Sequence, residues 1–323
     1  MIPIFFKRRG RHSSAAMLLL GSMVVLSLLL AACSGGGTTT PPAGSNPATP
    51  TLALPTDLLT PGVLTVGSDT TYPPQEYIDP ATHKAAGFDI DLITAMAKLM
   101  GLQATIVPTR FDTILDDLAA RHFDVVISAV SITPDRQKKV DFVPYLNAGE
   151  SLLVQKGNPK NIKSTDDLCG LAVGVQYGTI EQGVLQSSSD NCQEQDKPAI
   201  TMIALQDQTA VIHLLATNRV VATYQDSPVT DYYINQNPGQ FAGAGSVVFP
   251  GPEGIAVRKN DSSMFNAVQT AYKQLKAAGT YHQLILRWGL TNEELTAVGR
   301  RLNQVFYSLP VMIYLAENTS CLS

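Results

Sequence analysis

The sequence predicts an α/β protein made of two successive α/β series, and three observations carry that reading. Short apolar strands alternate with amphipathic helices from Gly62 onward, and the same alternation begins again at Leu171. Polar residues gather where the strands end, at Ser68-Asp69, residues 128–131, residues 175–179 and Gln225-Asp226. In open α/β sheets those carboxyl ends are where ligands bind.

Taken in order, residues 63–66 are a short β-branched run and read as a strand. Residues 89–100 carry apolar side chains at helical spacing and stop at Gly101, a good helix terminator. A strand at 104–107, a helix at 111–120 and a strand at 123–129 complete the first series. Just beyond, Thr133 suits an N-cap and Pro134 the first helical position, so a helix starts near the tip of a strand. In the second series strands fall at 171–175, 199–204 and 220–224, with helices at 179–186, 207–217 and 227–236. One more strand at 254–257 and a helix at 262–278, stopped by Gly279, follow. The pattern is that of a parallel sheet flanked by helices.

Arg136 stands in the first turn of the helix that Thr133 opens. A cation gains nothing there from the helix dipole, while free backbone N–H groups already favour an anion. Two readings stay open from this segment alone: an arginine that grips a carboxylate, or a solvated one paired with Asp135 or Asp141.

The start of the chain belongs to neither series. Lys7, Arg8, Arg9 and Arg11 precede an apolar run at 15–32, the pattern of an export signal over residues 1–32. Leu30-Ala31-Ala32-Cys33 resembles the bacterial lipobox, which implies that Cys33 is fatty-acylated and anchors the protein in a membrane. Residues 33–60 are rich in Ser, Gly, Thr and Pro and read as a disordered tether. An exported protein at the outer face of the cytoplasmic membrane, or at a periplasm-facing membrane, is expected.

The full chain carries 23 Lys+Arg and 27 Asp+Glu. Removing the signal takes four basic residues and no acid, so the remainder has formal charge 19 − 27 = −8. That argues against nucleic acid as a partner. Cys169 and Cys192 flank one strand-turn-helix unit in an exported chain and are expected to form a disulfide; Cys321 has no evident partner.

A family resemblance emerges from longer motifs. Gly87-Phe88-Asp89-Ile90-Asp91-Leu92, followed by Met96-Ala97 and Met100, is similar to the signature of the family 3 bacterial solute-binding proteins, the amino-acid receptors of ABC importers. The similarity extends through 67–74, 173–179 and Gly279-Thr280-Tyr281, covering about 61–295 in the right order. It implies a type II periplasmic-binding-protein fold: lobe 1 at 61–149 and 248–295, lobe 2 at 150–247, and a two-segment hinge near 148–150 and 245–248. Residues 296–323 lie beyond it. Their apolar stretch at 305–315 reads as a short helix packed on a lobe, a partner contact or the product of an altered reading frame.

The resemblance also implies a ligand set. Arg136 matches the residue that holds an α-carboxylate, assisted by backbone N–H groups near Ser131 and Thr179. Asp226 matches the one that takes the α-ammonium together with the Ala129 carbonyl; its own sequence context equally allows an N-cap at Ser227-Pro228. Tyr72 and Phe111 match aromatic walls, Asp69 and Ser128 polar side-chain contacts, and Gln176 a variable pocket position. Glu181 either faces the cleft or is a first-turn helix acid favoured by the dipole. Asp89 and Asp91 read as helix N-terminal acids rather than ligands.

The function implied is capture of a polar or basic amino acid between two lobes and delivery to the permease of an ABC importer, by a monomer needing no cofactor or metal. No HExxH, CxxC, P-loop or GxSxG motif is present. Two other classes stay open: a dehydratase-like enzyme on the same fold, for which Glu181 is the candidate acid, and a sensory module that presents its ligand to a membrane receptor.

Overall fold

The computed structural model describes Leu52 and residues 54–295. The expected signal, the lipid site Cys33, most of the tether, Cys321 and the stretch 296–323 lie outside the described residues.

The first series opens with β1 (Val63–Ser68), then a small antiparallel sheet of β2 (Thr71–Tyr72), β3 (Glu76–Ile78) and β4 (Ala85–Ala86). Helix α1 (Phe88–Leu99), β5 (Gln103–Pro108), α2 (Ile114–Ala119), β6 (Val125–Val126) and α3 (Pro134–Lys139) follow. Thr133 caps α3 by accepting the Arg136 N–H at 3.2 Å, and Pro134 occupies its first turn, as the sequence predicts. A long strand β7 (Val140–Gln155) leads to the second series. That series comprises β8 (Ala172–Gln176), α4 (Ile180–Glu194), β9 (Thr201–Leu205), α5 (Gln208–Ala216), β10 (Ala222–Asp226) and α6 (Ser227–Gln236). Strand β11 (Phe241–Arg258) returns to the first series, and α7 (Ser262–Ala277) and α8 (Thr280–Trp288) finish it.

All the long strands join one eight-stranded sheet ordered β5-β1-β6-β11-β7-β10-β8-β9. Each end of it is parallel, β5-β1-β6 on one side and β10-β8-β9 on the other. The middle is not: β7 and β11 run antiparallel to each other and to β10 and β6. The sheet is therefore mixed: the alternation of strands and helices read as parallel holds at its two ends, and the α/β fold class stands with an antiparallel pair added between them. Their lengths were hidden because both strands change surroundings midway and carry Gly and Pro inside them, so neither keeps a period-two alternation. The β7/β11 pairing shifts register between Ala244 and Val248, between Val248 and Gly251, and between Glu253 and Gly254. Gly149 sits at that irregularity; a Cβ there would lie 2.5 Å from Val247 Cγ1 and 2.8 Å from the Val248 carbonyl oxygen.

Each half packs helices on both faces. In the first half, Phe88, Leu92 and Met96 of α1 meet Val268 of α7 and Ile285 of α8 over β1, while Ile114 and Leu118 cover the opposite face with Phe123 and Phe142. In the second half, Leu185 and Cys192 of α4 pack on Val173 and Val175, and Ile212 and Leu215 of α5 pack with Leu153 and Phe241. Helix α4 extends well past the expected end at residue 186, to Glu194. Its inward face is Leu185, Ser189 and Cys192, a stripe at helical spacing that the surrounding Ser, Asn and Gln disguise. The expected disulfide joins Cys169 to Cys192, tying the end of α4 to the approach of β8.

Candidate functional site

The pocket forms where the parallel strands of both halves end. Asp69 follows β1, Ser128 to Ser131 follow β6, Gln176 ends β8 and Asp226 ends β10. One small cavity is lined by all ten residues that the sequence singles out: Asp69, Tyr72, Phe111, Ser128, Ala129, Ser131, Arg136, Gln176, Thr179 and Asp226. Glu76, Ile180 and Glu181 line it too.

Groups of the first half are held by their own half. The Asp69 N–H donates to Ser128 Oγ at 2.8 Å, and that hydroxyl donates to Glu76 Oε1 at 3.1 Å. Ala129 adopts a left-handed φ of 46°, strain of the kind found where a backbone must present a group to a ligand. Its N–H donates to Asp89 Oδ2 at 3.1 Å, and Tyr145 donates to the same oxygen at 2.7 Å. Asp89 lies in the first turn of α1 without capping it and braces the floor of the pocket instead. Arg136 donates from Nη1 to the Ser131 carbonyl at 2.9 Å, and its guanidinium lies 5.3 Å from the centre of the Phe111 ring. The proposed surface partners are taken: Asp135 pairs with Lys138 and Asp141 with Lys259. No ion pair among the described residues involves Arg136.

Groups of the second half reach across. Gln176 Nε2 donates to Asp69 Oδ2 and to the Gln206 carbonyl at 2.9 Å. Tyr72 donates its hydroxyl proton to Asp226 Oδ2 at 2.9 Å, and the Asp226 N–H donates back to the Tyr72 oxygen at 3.1 Å. The Gln208 N–H donates to Thr71 Oγ1 at 3.1 Å, and Arg136 Nη2 reaches the Gly178 carbonyl at 3.4 Å. Gly178 allows this approach: its φ is 84°, and a Cβ there would come within 2.8 Å of Asp112 Cα. Asp226 precedes α6 yet makes no side-chain cap, so the N-cap alternative is set aside by the bond to Tyr72. Thr179 caps α4 by accepting from the Gln182 N–H at 3.2 Å.

Acids dominate the lining. Four carboxyl groups, Asp69, Glu76, Glu181 and Asp226, surround one guanidinium, Arg136. Burial is the main cause that lifts each acid: Asp69 to about 6, and Glu76, Glu181 and Asp226 upward. The acids fall into two groups. Glu181 and Asp226 act on each other and on Arg136. Glu76 instead feels Asp89, Asp69 and Glu253. Glu181 satisfies both of its readings at once, lying in the first turn of α4 and, 2% exposed, lining the cavity. Glu76 escaped the sequence reading because it sits beyond the matched segment that ends at Pro74; its signal is an acid at the start of a strand next to the pocket. Among the described residues no cluster of His, Cys, Asp or Glu is arranged to hold a metal ion.

Known proteins resemble this chain in sequence and fold. The family model for bacterial extracellular solute-binding proteins, family 3, matches residues 64–291. The L-cystine-binding protein of Escherichia coli (strain K12) is 31% identical over 228 residues, 70% of this chain and 82% of that protein. The lysine/arginine/ornithine-binding periplasmic protein of the same strain is 34% identical over 237 residues, 71% of this chain and 88% of that protein. An ancestral arginine-binding protein bound to arginine superposes with a TM-score of 0.66 at 34% identity, covering 70% of this chain and 98% of that one. With its parallel half-sheets, its long antiparallel crossing pair and its pocket at the strand ends, the chain belongs to the family 3 bacterial extracellular solute-binding proteins.

Proposed function

We propose that this protein captures an amino acid between two lobes and delivers it to the permease of an ABC importer. One observation carries the reading: Arg136 from the first half and Asp226 from the second line the same buried cavity. A guanidinium and a carboxylate so placed match the carboxylate and ammonium of a zwitterion, and a ligand that touches both halves favours the closed form. Ser131, Thr179 and the Ala129 carbonyl complete the backbone contacts, with Tyr72, Phe111, Ser128, Asp69 and Gln176 around the side chain.

In this reading lobe 1 is 61–149 with 248–295, and lobe 2 is 150–247. The hinge lies near 148–150 and 245–248, where the register shifts of β7 and β11 support a bend. Cys33 carries the lipid, so the exported receptor works on a tether from the membrane as a monomer. The relatives named above are binding proteins, which supports transport over catalysis. The test is a thermal-shift screen against the common amino acids, since a ligand far above its Kd stabilises the fold by several kcal/mol. A stabilising amino acid supports the reading; a flat screen with folded protein sinks it.

Glu181 favours one second reading. It is a buried acid in the cleft whose carboxyl group is held above its usual range, the acid a dehydratase-like enzyme requires. Chromatographic detection of a dehydrated or decarboxylated product from a bound ligand, lost in Glu181→Gln, would establish it; recovery of unchanged ligand removes it.

A further inference from the structure

The crossing pair β7 and β11 carries a second cavity beside the amino-acid pocket, of about 490 Å³. That is within the range of small-molecule sites, roughly 300–1,000 Å³. Its walls are apolar: Ile132 and Pro134 from the first half, Ile180 from the second, and Phe249, Pro250 and Pro252 from β11. Phe249 is 65% exposed and has a left-handed φ of 49°, a conformation that a bulky side chain rarely adopts. Strain of that kind gathers at ligand clamps.

Two acids line this cavity and are absent from the lining of the amino-acid pocket, Glu150 of β7 and Glu253 of β11. They are 3% and 1% exposed. The pairing puts Glu253 opposite Leu146 and Glu150 opposite Val248, so the two acids stand about 13 Å apart along the strand. Between them Gly251 lies opposite Ala148, and these small residues leave room over the crossing. Each acid keeps one oxygen without a hydrogen-bond partner, Oε2 of Glu150 and Oε1 of Glu253. No cation relieves them. The groups acting on Glu150 are Glu181 and Tyr224, and those acting most on Glu253 are Asp89, Gln75, Glu181 and Tyr145. Asp226 adds a third acid to the lining, which includes no Lys, Arg or His. A buried carboxylate oxygen left unpaired is costly, and a positively charged N–H donor relieves that cost.

We propose that this cavity is a second ligand site and that it takes a linear aliphatic diamine as the dication. One ammonium group donates to the free oxygen of Glu150 and the other to that of Glu253, while the methylene chain runs over Ala148 and Gly251 against the apolar walls. A monoamine leaves one of the two acids unpaired, and a zwitterionic amino acid brings a carboxylate into a lining that already holds three acids.

Titration calorimetry at pH 8 tests this with 1,5-diaminopentane, 1,8-diaminooctane, pentylamine and 1,5-pentanediol against the whole protein. One of the two diamines is expected to bind at least about tenfold more tightly than pentylamine, and the diol not to bind. Glu150→Gln is expected to bring the diamine down to the level of pentylamine, and Phe249→Ala to weaken it by about threefold or more. Circular dichroism confirms that the variants fold, and Phe249→Ala, altering an exposed side chain, serves where Glu150→Gln does not. Asp69→Asn, in the amino-acid pocket alone, is expected to leave diamine affinity within about threefold of wild type. Diamines that bind no more tightly than pentylamine, or not at all, overturn the proposal. Diamine binding lost in Asp69→Asn and kept in Glu150→Gln and Phe249→Ala overturns it as well, placing the diamine in the amino-acid pocket. The amino-acid screen described above reads that other pocket, so either reading can fail without the other.

Discussion

In the half-sheet of β5, β1 and β6, three groups that face the pocket are braced from within their own half. Arg136 leans on the Ser131 carbonyl, Ala129 hangs from Asp89, and Asp69 is pinned by Ser128. In the half-sheet of β10, β8 and β9, Gln176 and Asp226 each place a side-chain bond on the opposite half, at Asp69 and Tyr72, and Gln176 adds one to the Gln206 carbonyl of its own half. One half is thus a finished surface and the other a latch. The division has a cause in the packing: the first half sits on a floor of buried hydrogen bonds under Ala129, whereas the second holds its smaller core together with a disulfide. A ligand that first settles on the finished surface and is then covered by the latch follows from this asymmetry.

The largest effect expected tests the finished surface. Arg136→Ala leaves the core untouched, because Arg136 is only half-buried and no other described residue forms an ion pair with it. It removes the guanidinium proposed to hold the ligand carboxylate, at a cost of about 2–5 kcal/mol, or roughly a thousandfold in affinity. Calorimetry on a variant with an unchanged melting temperature checks it. An affinity within about threefold of wild type would return Arg136 to the role of surface residue.

Next comes the latch itself. Replacing both Cys169 and Cys192 by Ser opens a link between residues 23 apart in sequence, which in chain-entropy terms costs about 3 kcal/mol. The loss is expected in α4, β8 and β9 by hydrogen exchange, with α1 and β1 still protected. Equal loss of protection in both halves would mean that the two do not differ in how they are held.

How far this asymmetry was legible in the sequence depends on the range of the interactions involved. Local signals sufficed for α3, whose cap Thr133 and first-turn Pro134 are adjacent, and for the disulfide, whose partners flank one unit. The ten pocket residues came from family-like motifs rather than from periodicity, and they do meet in one cavity. Two kinds of feature stayed hidden. The lengths of β7 and β11 arise from pairing between segments about a hundred residues apart, as in the Val257 with Asp141 register, which no local pattern records. The buried group of Glu76, Asp89, Tyr145 and Glu253 looks in sequence like ordinary surface chemistry, and Asp89 reads as a helix N-terminal acid until Ala129 is seen hanging from it.

Buried acids, Asp89 of that group among them, make the fold sensitive to pH in a particular direction. Burial lifts Asp69 to about 6 and Asp89 to about 7, and does the same for Glu150 and Glu293, both to about 7. These folded values lie above the unfolded ones, so between them the folded chain binds more protons and stability falls as pH rises. The contribution is complete below about pH 4 and is lost on passing through about pH 6 to 7. Opposing groups act elsewhere: Asp57, hydrogen-bonded by Arg121, and Asp79, hydrogen-bonded by the Thr82 and Ala81 N–H groups, are held low and lose their contribution only in stronger acid. The melting temperature without added amino acid is therefore expected to drop by several degrees from pH 5 to pH 8. A flat or rising profile by differential scanning calorimetry would show that these acids are not protonated in the folded state.

The smallest effect separates latch from surface most cleanly. Tyr72→Phe keeps the aromatic wall and deletes the hydroxyl that both donates to Asp226 and accepts its N–H. A net hydrogen bond is worth about 1 kcal/mol, so the closed form loses about that much and ligand affinity falls about fivefold. Because the bond exists only when the halves meet, the loss is expected in the dissociation rate, with the association rate unchanged. Stopped-flow kinetics checks the split. If association slows instead, Tyr72 receives the ligand before closure, and the phenol belongs to the finished surface as much as to the latch.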